Sequence, residues 1–208
     1  MTVEKKKHMG ISIILILLAL VLSSGCIDLT CAYVKDSAVT DGWYENTALR
    51  NTGMQFLGLE KWCSSTYEIN GKYPASLTVT TLKALVLTDE KEIQKKTRET
   101  IEETFLNSIQ LNENTSGART LQNNHKTIYI LYEGIDTKKD ENVKIIGEVW
   151  NCGTSGASII CIGVAYVTNK EIPDVENTDN WQKIVMDPSG TIDGAFGEQG
   201  LIDNVHCH

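Results

Sequence analysis

The first 25 residues have the layout of a leader, which bears on where the rest of the chain is expected to fold. Lys5, Lys6 and Lys7 precede an apolar run from Ile11 to Leu22, which closes on Ser23, Ser24 and Gly25 before Cys26. A basic end, a short apolar core and a small-residue cleavage site are the three parts of a secretory signal. Residues 1–25 are therefore set apart as a signal peptide. The expectation is an exported chain beginning at Cys26, with residues 26–41 as a spacer and 42–208 as one domain.

The stretch Leu22-Ser23-Ser24-Gly25-Cys26 resembles the lipobox of prokaryotic lipoproteins. In that family the cysteine receives a diacylglyceryl group and becomes the first mature residue. The resemblance implies a lipid at Cys26 that holds the chain on the outer face of the cytoplasmic membrane, at the cell surface. Ser23 stands where the family usually has leucine, with Leu22 one place further back. Ser23 and Gly25 also suit an ordinary small-x-small cleavage, and Gly10 suits a prepilin-type cut. An uncut helical anchor is disfavoured because the apolar run is short against the ~20 residues that span a bilayer. The lipobox reading alone accounts for a cysteine at that spot, and the Ile-, Lys- and Asn-rich texture suits an archaeon.

Without the leader the chain carries 16 basic and 26 acidic residues, a formal charge of -10. Its length, about 180 residues, supports one ordinary domain. The acidic balance argues against charge-driven binding of nucleic acid or anionic headgroups. Besides Cys26 there are five cysteines, at 31, 63, 152, 161 and 207, with no CxxC spacing. That usage fits an oxidising compartment and leaves one thiol unpaired if Cys26 is lipidated.

Along the domain, Trp43, Thr47, Met54 and Leu57 approximate a helical face, which predicts an N-terminal helix over 43–62 despite Gly53 and Gly58. Asn70-Gly71 between Tyr67/Ile69 and Leu77/Val79 predicts a hairpin. Asp89 opens a helix whose Ile93, Thr97, Ile101, Phe105 and Ile109 recur every four residues. Residues 111–126 read as a polar loop, with Asn114-Thr115-Ser116 as an N-glycosylation acceptor. Strands are predicted at 128–132, 143–150 and 159–167, and a last hairpin at 181–196. The expected class is α+β: a mainly antiparallel sheet of five or more strands, one long amphipathic helix on a face, and the possible N-terminal helix.

Catalytic templates fail. Gly153-Thr154-Ser155-Gly156-Ala157 lacks the final glycine and the following helix of a nucleophile elbow. There is no HExxH and no glycine-rich phosphate loop. Asp136, Asp140 and Glu141 lack the order of a calcium loop and read as solvated acidic residues. His206 and His208 fall on one side of an extended tail, and with Cys207 they are the candidate transition-metal ligands.

Hairpin geometry excludes one cysteine pairing, and Cys31 and Cys63, which bracket the segment 43–62, suggest another. A turn at 153–156 places Cys161 opposite residue 148 and about 13 Å from Cys152 along the sheet, beyond the ~7 Å reach of a disulfide. The expected bonds are Cys31–Cys63 and Cys152–Cys207, with Cys161 a buried thiol. Trp43, Tyr44, Trp62, Tyr67 and Tyr73 concentrate aromatics in the first third, as core or as an exposed patch. Together these readings point to a non-enzymatic surface domain that binds a protein or small molecule. The alternatives are a small metal-binding protein using the C-terminal His-Cys-His, or an enzyme whose site is assembled from distant residues.

Overall fold

A computed structural model describes residues 29–55, 60–84, 88–172, 175–186 and 200–207. Cys26, with the expected signal peptide 1–25, and His208 lie outside these described residues. So does the region 187–199, most of the hairpin expected at 181–196.

The described chain is dominated by one antiparallel sheet of eight strands. They are β2 (Tyr44–Glu45), β3 (Asn51–Gln55), β4 (Glu60–Ile69), β5 (Ala75–Ala84), β6 (Ile109–Thr120), β7 (Lys126–Asp136), β8 (Glu141–Cys152) and β9 (Ala157–Tyr166). The spatial order is β2-β4-β5-β9-β8-β7-β6, and β3 pairs with the other end of β4. β6 to β9 form a meander whose last strand joins the β4–β5 hairpin, with Val79 opposite Cys161. Two further short strands, β1 (Tyr33–Val34) and β10 (Val205–His206), pair with each other.

This overturns the α+β expectation: the fold is mostly antiparallel β. Among the described residues the α-helices are α1 (Glu90–Phe105) and the short α2 (Asp179–Val185). α1 covers only part of one face, over β7 and β8, and is no second layer. Its N-cap is Asp89, whose side chain accepts from the Lys91 amide at 2.9 Å. Ile93, Thr97 and Ile101 are its buried positions. A Cβ on Gly147 of β8 would fall 2.8 Å from both Ile101 Cδ1 and Thr97 Cγ2, so glycine lets helix and sheet approach.

The opposite face carries the larger core. Ile146, Trp150 and Cys152 of β8 are buried there with Leu77, Val79, Ile159 and Cys161. The cover comes from both ends of the chain: Ala32, Val34, Ala38 and Trp43 on one side, Trp181, Ile184, Leu201, Ile202 and Val205 on the other. Residues 29–41, expected as a spacer, are therefore part of the domain.

Three further expectations are corrected. The segment 43–62 contains no α-helix among its described residues but β2, a 3-10 turn, β3 and the start of β4. Gly53 lies opposite Trp62, and a Cβ there would sit 2.5 Å from the indole, so a bulky ring crosses the strand pair where glycine leaves room. Residues 111–120 are not loop but most of β6. The inward side of this edge strand holds Gly117, under the Tyr129 ring, and Arg119, so it lacks an apolar stripe. Residues 181–185 are helical, because Trp181, Ile184 and Val185 are the buried positions and their spacing is that of a helix turn.

Candidate functional site

Two clusters of chemically capable side chains lie on the terminal-segment face of the sheet. The first is built on alternation along β8. Glu148, Trp150 and Cys152 share a face because side chains of a strand alternate. Arg119 of β6 reaches over β7 to Glu148, donating through Nε at 2.8 Å to one carboxylate oxygen and through an Nη at 2.6 Å to the other. The Thr127 hydroxyl donates to the same carboxylate, and the other Arg119 Nη donates to the Val185 carbonyl at 2.9 Å. Glu148 is fully buried. This guanidinium–carboxylate fork is charge-assisted and bidentate, the strong form of such a pair.

Cys161 lies opposite Glu148 in the β8–β9 register. Burial first, and the Glu148 charge second, push its thiol well above the ordinary range, so it is not a thiolate nucleophile. Asp203, accepting from the Gln122 amide at 3.1 Å, is also held above the usual carboxylate range, because burial outweighs the Arg119 charge.

The second cluster centres on the cystine Cys152–Cys207. Cys152 is the last residue of β8 and Cys207 follows β10. His125, in the turn from β6 to β7, places Nε2 at 3.5 Å from Cys207 Sγ. Its ring stacks on Trp150, with centroids 6.1 Å apart and planes 28° apart. His125 forms a cluster with Cys152 and Cys207 in which one donor atom from each residue lies within 4.8 Å of the others.

Two of the three C-terminal metal candidates are described, and His208 is not. Cys207 is bonded to Cys152, while the His206 ring rests against Tyr33, centroids 5.4 Å apart. Cys31 is bonded to Cys63 of β4, and Cys161 is the free, buried cysteine among the described residues. Asn114 falls on β6, paired with Tyr132, next to a register shift at Leu111/Asn114.

Asp136 is not solvated as expected. It is buried at the start of the β7–β8 turn, accepting from the Lys138 and Lys139 amides and from the Tyr166 hydroxyl at 2.8 Å. Burial alone would raise its pKa, but these hydrogen bonds outweigh it and hold the carboxyl below its ordinary value. Of the five clustered aromatics, Trp43 and Tyr67 are buried and Tyr44 is exposed, so they form no continuous patch.

His125 is the residue that sequence reasoning missed. It is 27 and 82 positions from the two cysteines it meets, and no local motif connects them. No protein-family model matches the chain, and no curated protein matches it either.

Proposed function

We propose that this chain is a membrane-tethered binding domain, held by a lipid at Cys26 and working outside the cytoplasm on a protein or small-molecule partner. The observation that carries the reading is the Cys31–Cys63 bond, which fixes the chain to β4 only five positions after Cys26. At ~3.3–3.6 Å per extended residue, the domain hangs within about 18 Å of the lipidated residue. The two disulfides fit an oxidising compartment. No helix among the described residues is long and apolar enough to cross a membrane.

Binding is favoured over catalysis because the buried polar clusters are spent on internal pairs. Glu148 is engaged by Arg119 and Thr127, and Asp136 by Tyr166 and two backbone amides. Neither carboxylate is poised as a general base in a cleft.

Intact mass and detergent partitioning of the native protein, beside a Cys26→Ser variant, test the tether. The expected result is a chain starting at residue 26 with added lipid, released to the soluble fraction by the substitution. A mature chain without lipid would replace the tether with secretion. A chain still starting near Met1 would replace it with an uncut anchor.

A further inference from the structure

The imidazole beside the Cys152–Cys207 bond has the geometry of a metal ligand. In a tetrahedral site, with metal–sulfur distances of ~2.3 Å and metal–nitrogen distances of ~2.0–2.1 Å, neighbouring ligand atoms stand about 3.5–3.8 Å apart. The separation of 3.5 Å between His125 Nε2 and Cys207 Sγ is already one edge of such a tetrahedron. The edge that does not fit is sulfur to sulfur, which is closed by the covalent bond.

The support around these atoms holds them together. Asn123 donates through Nδ2 to the Val205 carbonyl at 3.2 Å, and the Gln122 amide donates to Asp203, so the turn carrying His125 is tied to the segment carrying Cys207. The His125 amide donates to Asn123 Oδ1 at 3.2 Å, and its carbonyl accepts from the Leu121 amide at 2.9 Å. The ring is further held by stacking on the buried Trp150.

We propose that reduction of Cys152–Cys207 opens a site for one zinc-class dication, ligated by Cys152 Sγ, Cys207 Sγ and His125 Nε2. A dithiol reductant supplies two electrons and two protons, is itself oxidised to a disulfide, and leaves two cysteine thiols. The dication then displaces both thiol protons to solvent. Two thiolates, a neutral imidazole and the dication sum to no net charge. That neutrality suits positions where Cys152 is 0% and Cys207 3% exposed, since an unpaired charge there would be costly. His125 is half-buried, and three protein ligands leave a fourth position for water or an outside ligand. The pair is thereby a switch: closed as cystine, metal-binding when reduced. The ligand set shares only Cys207 with the C-terminal His-Cys-His and does not depend on how the chain is anchored.

The test is a cobalt(II) titration of the exported chain without oxygen, before and after reduction with a phosphine. One cobalt per reduced chain is expected, with thiolate-to-cobalt charge-transfer absorption, and none in the oxidised chain. Cys207→Ser abolishes that absorption even though Cys31 and Cys63 are reduced in the same sample. His125→Ala keeps both cysteines and weakens binding by about 10–100-fold or more, since loss of an outer-shell partner alone costs that much. If reduction loosens the fold, cobalt restores the near-ultraviolet circular dichroism of the native chain. The proposal is overturned by no cobalt uptake, by absorption that survives Cys207→Ser, or by affinity unchanged in His125→Ala. Loss of binding in His206→Ala but not in His125→Ala would also sink it, moving the site to the C-terminal tail.

Discussion

Arg119 and Glu148 clamp each other across an intervening strand, two nitrogens to two oxygens at 2.8 and 2.6 Å, with the carboxylate fully buried. The clamp joins the edge strand β6 to the centre of the sheet, and through Val185 to the end of α2.

Breaking one side of the clamp leaves a buried charge without its partner. Arg119→Met is expected to destabilise the fold by about 3–5 kcal/mol, the usual cost of orphaning one member of a buried pair. The double variant Arg119→Met/Glu148→Leu should recover most of that loss, because replacing both members by apolar groups is often near neutral. Urea unfolding of the three proteins measures it. A single variant as costly as the double would show that the charge itself is not the problem.

The Cys31–Cys63 bond closes a loop of 32 residues. By the chain-entropy relation, removing it as a Cys31→Ser/Cys63→Ser pair should cost about 3–4 kcal/mol. Denaturant midpoints of both proteins, under oxidising conditions, provide the measurement. An unchanged midpoint would mean that the packing of Ala32 and Val34 alone holds the N-terminal segment.

Asp136 gives the acid response a definite sign. Its folded pKa lies below the ordinary value, so its stabilisation is present above that ordinary value and fades as pH falls toward the lowered one. Tyr166→Phe removes one of the hydrogen bonds responsible and should cost about 1–2 kcal/mol at pH 7. At a pH low enough to protonate Asp136 the two proteins should differ less. Equal differences at both pH values would detach the Tyr166 hydroxyl from Asp136 ionisation.

Cys161 should resist alkylation in the folded protein and react only on unfolding, since its thiol is fully buried and pushed up in pKa. Mass analysis after iodoacetamide, with and without denaturant, reads this directly. One added group under native conditions would contradict the buried placement.

What could be read in advance was whatever wrote itself into local pattern. Asn70-Gly71 marks the β4–β5 turn, with Gly71 at φ 125°, and the β-branched runs mark β7, β8 and β9. The turn after Cys152 placed Cys161 opposite position 148, where the structure has it. The failures came where tertiary contact replaces pattern. β6 turns Gly117 and Arg119 inward, a ring pocket and an ion pair, which in sequence look like loop. β3 needs Gly53 because Trp62 lies across it, and a glycine there reads as a weakened helix. At 181–185 the helical spacing of Trp181, Ile184 and Val185 stands beside Asp187-Pro188-Ser189-Gly190, whose turn chemistry suggests a hairpin instead. His125 meets the cystine only because the β6–β7 turn and the end of β8 both lie against the C-terminal segment.

The pairing of β1 with β10 has a consequence in time. Tyr33 lies opposite His206 and Val34 opposite Val205, yet synthesis delivers these partners more than 170 residues apart. The eight-stranded sheet can zip together as soon as β9 has emerged, but its larger apolar face then waits for Leu201, Ile202 and Val205. Until they arrive β1 has no strand to pair with, and a chain interrupted before residue 200 would leave part of that apolar face uncovered, the kind of intermediate that aggregates or recruits a chaperone. Enclosure of that core therefore depends on two segments, 33–34 and 205–206, that leave the ribosome far apart in time.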